Sequence, residues 1–189
     1  VVSFNNVFSE WPSTDPVIGV AGWDVSSGTD FEKMFNDKSN FNEDISGWNV
    51  GNAQTMRFML RQATIFNQDI SGWNVGEVTD MASMFSIASN FNQDISGWDV
   101  GKVTDMTLMF WATPFDQDIS GWNVGKVTDM LFMFGFSDFN HDISGWNVGE
   151  VTTMRGMFQS AGNFNQDISG WNVGKVTNMA VMFERTIFN

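Results

Sequence analysis

The 189-residue sequence contains no cysteine, which excludes a disulfide framework and any thiolate metal site. Basic residues are scarce: 9 Lys and Arg stand against 22 Asp and Glu, a formal charge of −13. Nucleic-acid binding draws on clustered Lys and Arg that release counterions, and an anionic membrane surface draws on the same charges. Neither is expected as a partner. No apolar run reaches the roughly 18 residues that a membrane-spanning helix needs, so no transmembrane segment is expected. His141 is the only histidine. Without a second imidazole it is read as a solvated loop residue rather than a catalytic or zinc-binding one. No Ser-His-Asp set, P-loop or G-x-G-x-x-G run is present. Asparagine is common, yet no N-x-S/T glycosylation acceptor occurs. The chain opens on Val1-Val2, with neither an initiator Met nor a leader, and reads as a processed chain or a fragment.

What the sequence does have is repetition. One phrase, close to F-N-Q-D-I-S-G-W-N-V-G-K-V-T-D-M-x-x-M-F, begins at Phe41, Phe66, Phe91, Phe115, Phe139 and Phe164, at spacings of 25, 25, 24, 24 and 25 residues. A fixed period of this size marks one supersecondary unit stacked on copies of itself. Residues 20–189 therefore read as one degenerate repeat, around Trp23-Asp24-Val25, followed by six full ones. Phe188-Asn189 begin a further repeat. Residues 1–19, which hold Pro12 and Pro16 and show no period, are expected to cap the open N-terminal edge.

Within the copy at Phe66, two periodicities succeed each other. Trp73 and Val75 flank Asn74 at a spacing of two, which predicts a very short strand. Val78, Met81, Met84 and Phe85 follow at three to four, which predicts one face of a short helix, with Thr79 as its N-cap and Asp80 in its first turn. The expected fold is thus a leucine-rich-repeat-like α/β solenoid. A short parallel β-strand ladder lines one face and short helices the other. The tryptophans, from Trp48 to Trp171, are expected to run down the core, as is the Phe column at the repeat starts.

The run F-N-x-D-I-S-x-W-x-V-x-x-V-T-x-M-x-x-M-F resembles the BspA-like leucine-rich repeat surface proteins over about residues 20–189. The resemblance implies a solenoid displayed at a surface, with adhesion or protein binding as its role. The sequence departs from that family at Gly51, Gly76, Gly101, Gly125, Gly149 and Gly174, where the family often has Ser.

Repetition itself argues against an enzyme, because a catalytic constellation needs different residue types at one place. No catalytic residue, cofactor or metal site is expected. The Asp column (Asp44, Asp69, Asp94, Asp118, Asp142, Asp167) is read as accepting backbone N–H bonds in its own turns rather than holding calcium. The Asn49, Asn74, Asp99, Asn123 column is read as stacked amides. The Met column at helical spacing is read as core. Variation between copies is more informative. At positions pointing away from the core the middle repeats carry Leu108, Trp111, Leu131, Phe132 and Phe136, where polar residues would suffice; earlier copies add Phe58 and Ile87. An apolar patch of this kind marks a binding surface.

The sequence therefore predicts a non-enzymatic protein-interaction or adhesion module. It would belong to a surface or secreted protein, or to the exposed face of a larger assembly, and bind a protein partner through those seven residues. The alternative is a structural subunit of a filament or multiprotein assembly, self-associating through the open C-terminal edge.

Overall fold

A computed structural model describes residues 2–13 and 15–188. Val1 and Thr14 of the expected cap, and Asn189 of the begun repeat, lie outside the described residues. The repeats form coils laid one on the next. Parallel bridges link Asp30, Thr55, Asp80, Asp105, Asp129, Thr153 and Asn178 in order, one residue per coil. Only two short strands occur among the described residues, β1 (Val2–Ser3) and β2 (Gly28–Asp30), and they pair in parallel with Val2 opposite Gly28. The N-terminal segment extends this pattern. Phe4 N–H donates to Asp30 O at 2.7 Å and Asn6 N–H to Glu32 O at 2.8 Å, while Phe8 stacks on Phe35 at 5.6 Å.

The expected α/β architecture is wrong in both halves. No helix occurs among the described residues. The stretch assigned to the helix face makes a different use of its N–H groups. In the coil of Asp80, the N–H groups of Met81, Ser83, Phe85 and Ile87 donate to Asp105, Thr107, Met109 and Trp111 of the next coil at 2.7–3.1 Å. The intervening N–H groups of Met84, Ser86 and Ala88 close three-residue-back turns onto Met81, Ser83 and Phe85. Every fourth residue takes a left-handed conformation: Ser83 and Ile87 here, Phe58 and Gln62 one coil earlier, Leu108 and Ala112 one later. These breaks preclude a helix. Overlapping turns of this kind still bury positions 81, 84, 85 and 88, the set a helix would bury, and that coincidence produced the expectation.

The expected strand fails for a related reason. Trp73 and Val75 are buried and Asn74 exposed, so alternation holds, but no ladder forms there. Trp73 N–H turns back to Ile70 O, Val78 N–H to Val75 O, and Gly76 N–H to Asn74 Oδ1. The N–H groups of Trp73, Gly76 and Val78 are thus used within their own coil. The inter-coil bridges run instead through the Thr-Asp step, which the sequence suggests as a helix cap. Thr104 donates both its N–H (2.8 Å) and its hydroxyl (3.1 Å) to Thr79 O of the preceding coil, and Thr128 repeats this onto Thr104.

The core is aromatic and follows the sequence pattern. Phe41, Phe66, Phe91, Phe115, Phe139 and Phe164 stack coil on coil at 5.7–6.5 Å. Each of Phe85, Phe110, Phe134 and Phe158 lies 3.7–4.1 Å from the Phe that follows in its own coil. The repeat-column tryptophans Trp48, Trp73, Trp98, Trp122, Trp146 and Trp171 are buried, and each of their indole N–H groups finds a partner, whereas Trp11 and Trp23 are exposed. Trp73, Trp98, Trp122 and Trp146 donate to the carbonyls of Ile45, Ile70, Ile95 and Ile119 in the coil before, at 3.1–3.2 Å. A buried indole needs such an acceptor, and here it ties neighbouring coils together.

Candidate functional site

The outward columns are largely committed to the scaffold. Asp44, Asp69, Asp94, Asp118, Asp142 and Asp167 each accept the N–H of the Ser two residues on, at 2.9–3.0 Å. Those hydrogen bonds, from the Ser side chain and backbone, hold each carboxyl below the usual carboxylate range. The second column corrects the stacked-amide reading. Asn49, Asn74, Asp99 and Asn123 each accept the N–H of the Gly two residues on at 3.0–3.1 Å. Coil-to-coil polar rungs are formed by another column, the residue that follows each repeat-opening Phe, which is Asn except at Asp116. Asn42 Oδ1 accepts from Asn67 N–H, and Asn67 Oδ1 from Asn92 N–H, both at 3.0 Å. His141 occupies the Gln position of this rung and contacts Asp116 O at 3.0 Å, partly exposed.

The turn-built face is different. Phe58, Ile87 and Leu108 line one open groove of about 710 Å³ together with Trp111, Leu131, Phe132 and Phe136. The structure thus brings together all seven residues that sequence variation singled out. Five of them, Phe58, Ile87, Leu108, Phe132 and Phe136, sit at the left-handed positions of their turns, with φ between 51° and 60°. Trp111 and Leu131 stand one residue earlier in the same kind of turn. Such a conformation costs a non-glycine residue on the order of 1–3 kcal/mol, most for a β-branched one such as Ile87. Glycine fills one of these positions, Gly156, with φ 61°. Elsewhere the scaffold holds side chains where their absence would be less costly.

Two glycines shape the groove floor. The Trp111 ring lies over Gly135, where a Cβ would approach Cδ1 to 3.0 Å, and the Phe132 ring covers Gly156 more closely still. Phe136, the most exposed aromatic of the groove at 49%, meets Trp111 edge-on at 5.8 Å. At one end the Phe58 ring is surrounded by Arg57, Lys33 and Arg61 at 4.6, 5.6 and 6.0 Å. Arg57 also reaches Asp80 at 3.6 Å and Asp105 at 3.4 Å. Burial raises the Asp80 carboxyl above its ordinary value, aided by Asp105, while the Ala82 N–H and Arg57 pull it down. These roles were not read from the sequence. A signal was present nonetheless: Gly135 and Gly156 stand outside the repeated glycines, each one repeat after an aromatic at the same position.

Stacked coils, buried aromatic ladders and one apolar groove define a repeat protein whose outer turns vary while its frame does not. The chain belongs to the family described as Mycoplasma protein of unknown function, DUF285, whose model matches residues 2–115 and 97–189. No curated protein and no solved structure matches it. Among the described residues, no helix is long and apolar enough to cross a membrane.

Proposed function

We propose that the chain is a non-enzymatic protein-interaction or adhesion module of a BspA-like surface or secreted repeat protein, binding its partner in the groove. One observation carries this reading. Seven apolar side chains, half-buried or exposed, line one open groove of about 710 Å³, on a scaffold that elsewhere spends its polar groups on its own turns. A contiguous apolar groove left open at the surface is what a binding surface requires and a plain structural rod does not.

The test is a double variant, Trp111→Ser with Phe132→Ser, compared with wild type for retention on arrayed cell-surface proteins. The expected outcome is a folded variant that has lost the association. Equal retention of both proteins removes the reading. Sedimentation of the purified chain separates this function from that of an assembly subunit: a monomer at micromolar concentration supports binding, and concentration-dependent polymers support assembly.

A further inference from the structure

The charged side chains in the groove's own lining are cationic. Although the formal charge is −13, the charged residues lining the groove are Lys33 and Arg61, with no carboxylate among the lining. Both cations stand at the Phe58 end. Glu32 meets Lys33 at 2.7 Å and Asp37 meets Arg61 at 3.4 Å, each from outside the lining. An ammonium has three donors and a guanidinium five, so each keeps donors for a further carboxylate. Beyond Ile87 the lining is dominated by Leu108, Trp111, Leu131, Phe132 and Phe136 and ends on uncharged Gln159, with Arg155 outside the lining 5.7 Å from the Phe132 ring.

We infer that the groove takes an extended peptide segment of a partner protein, with acidic residues at the end lying over Lys33 and Arg61 and bulky apolar residues along the rest. This rests on the groove being the docking face proposed above. The lining runs from the coil of Lys33 to that of Gln159. Five coil steps of about 4.8 Å give roughly 24 Å, the reach of about seven extended residues. Selection has to come from side chains. The turn-face N–H groups of successive coils already donate to the next coil, as Phe58 does to Ala82 and Leu108 to Leu131, so strand addition onto this wall is not available.

The test selects a displayed library of random linear nine-residue peptides on the immobilised chain. Enriched peptides should carry Asp or Glu at one end and aromatic or aliphatic residues elsewhere. Lys33→Ala with Arg61→Ala should weaken a selected peptide about tenfold and abolish the acidic preference. Leu108→Gly with Phe132→Gly should abolish binding altogether, with wild-type thermal unfolding as the control for folding. Binding indifferent to the Leu108 and Phe132 changes overturns the docking face itself. Apolar peptides with no acidic end, or acidic ones indifferent to Lys33 and Arg61, overturn the charge inference and leave the docking face standing. No enrichment, with oleate vesicles binding the chain instead, overturns both in favour of a lipid surface.

Discussion

The ring of Phe132 lies across Gly156 of the next coil, so close that a Cβ at Gly156 would collide with its Cδ1 and Cε1. The same relation, one coil earlier, places Trp111 over Gly135. Each aromatic spans two coils because the coil beyond it leaves its own place empty. Two rings of the groove thus rest on glycines one repeat further on, here 24 residues.

Gly156→Ala is therefore expected to destabilise the fold by about 1–3 kcal/mol, through collision with Phe132 and through a side chain at positive φ. Urea unfolding checks this. Combining it with Phe132→Ala should recover part of the loss, since the collision disappears while the backbone cost remains. Strict additivity of the two changes would show that the ring and the glycine do not meet.

The Trp98 indole donates to Ile70 O and fills the core between two coils. Trp98→Phe should cost about 1–3 kcal/mol, because a buried carbonyl loses its partner. Trp98→Ala should cost about 3–5 kcal/mol, because a cavity is added. Equilibrium denaturation resolves the two steps.

Left-handed positions predict the opposite sign at an exposed site. Val181 is β-branched, 38% exposed and held at φ 56°. Val181→Asn should raise stability by about 0.5–1 kcal/mol, since Asn accepts this conformation more readily and little packing is lost. A fall in melting temperature would contradict the assigned backbone.

Acid should lower the stability of the chain through its Asp column. Asp44, Asp69, Asp94, Asp118, Asp142 and Asp167 have carboxyls held below the ordinary 3.8 by their Ser hydrogen bonds. A lowered native pKa contributes stability that is fully present above 3.8 and is lost as pH falls through the lower native value. Asp94→Ala with Asp118→Ala should accordingly lower stability at pH 7 and flatten its fall below pH 4, as followed by thermal melts across pH.

Asp80 runs the other way. Burial raises its pKa above 3.8, so the native state is penalised once the group must ionise. Its contribution becomes unfavourable as pH rises from 3.8 through the native value. Asp80→Asn keeps an acceptor for the Ala82 N–H, as Asn178 does for Ala180 at 3.0 Å. It should raise the melting temperature at pH 7 and leave it unchanged near pH 3.

The sequence by itself determined which residues are inside. The apolar positions that recur at every repeat, Phe66, Ile70, Trp73, Val75, Val78, Met81 and Met84 among them, are buried in the first five copies, with Val173 and Met179 of the last copy exposed, because burial follows apolar character whatever the backbone does. It also determined where variation collects: the seven groove residues were legible as departures from an otherwise fixed phrase. The tertiary structure alone decided the backbone. Spacing of three and four residues is shared by a helix and by overlapping turns with left-handed corners, and the choice lies with hydrogen-bond partners a whole repeat away. Met81 N–H could close a helical bond within its own coil or reach Asp105 in the next. Only the stacking of coils puts that carbonyl within reach, and no local pattern encodes it.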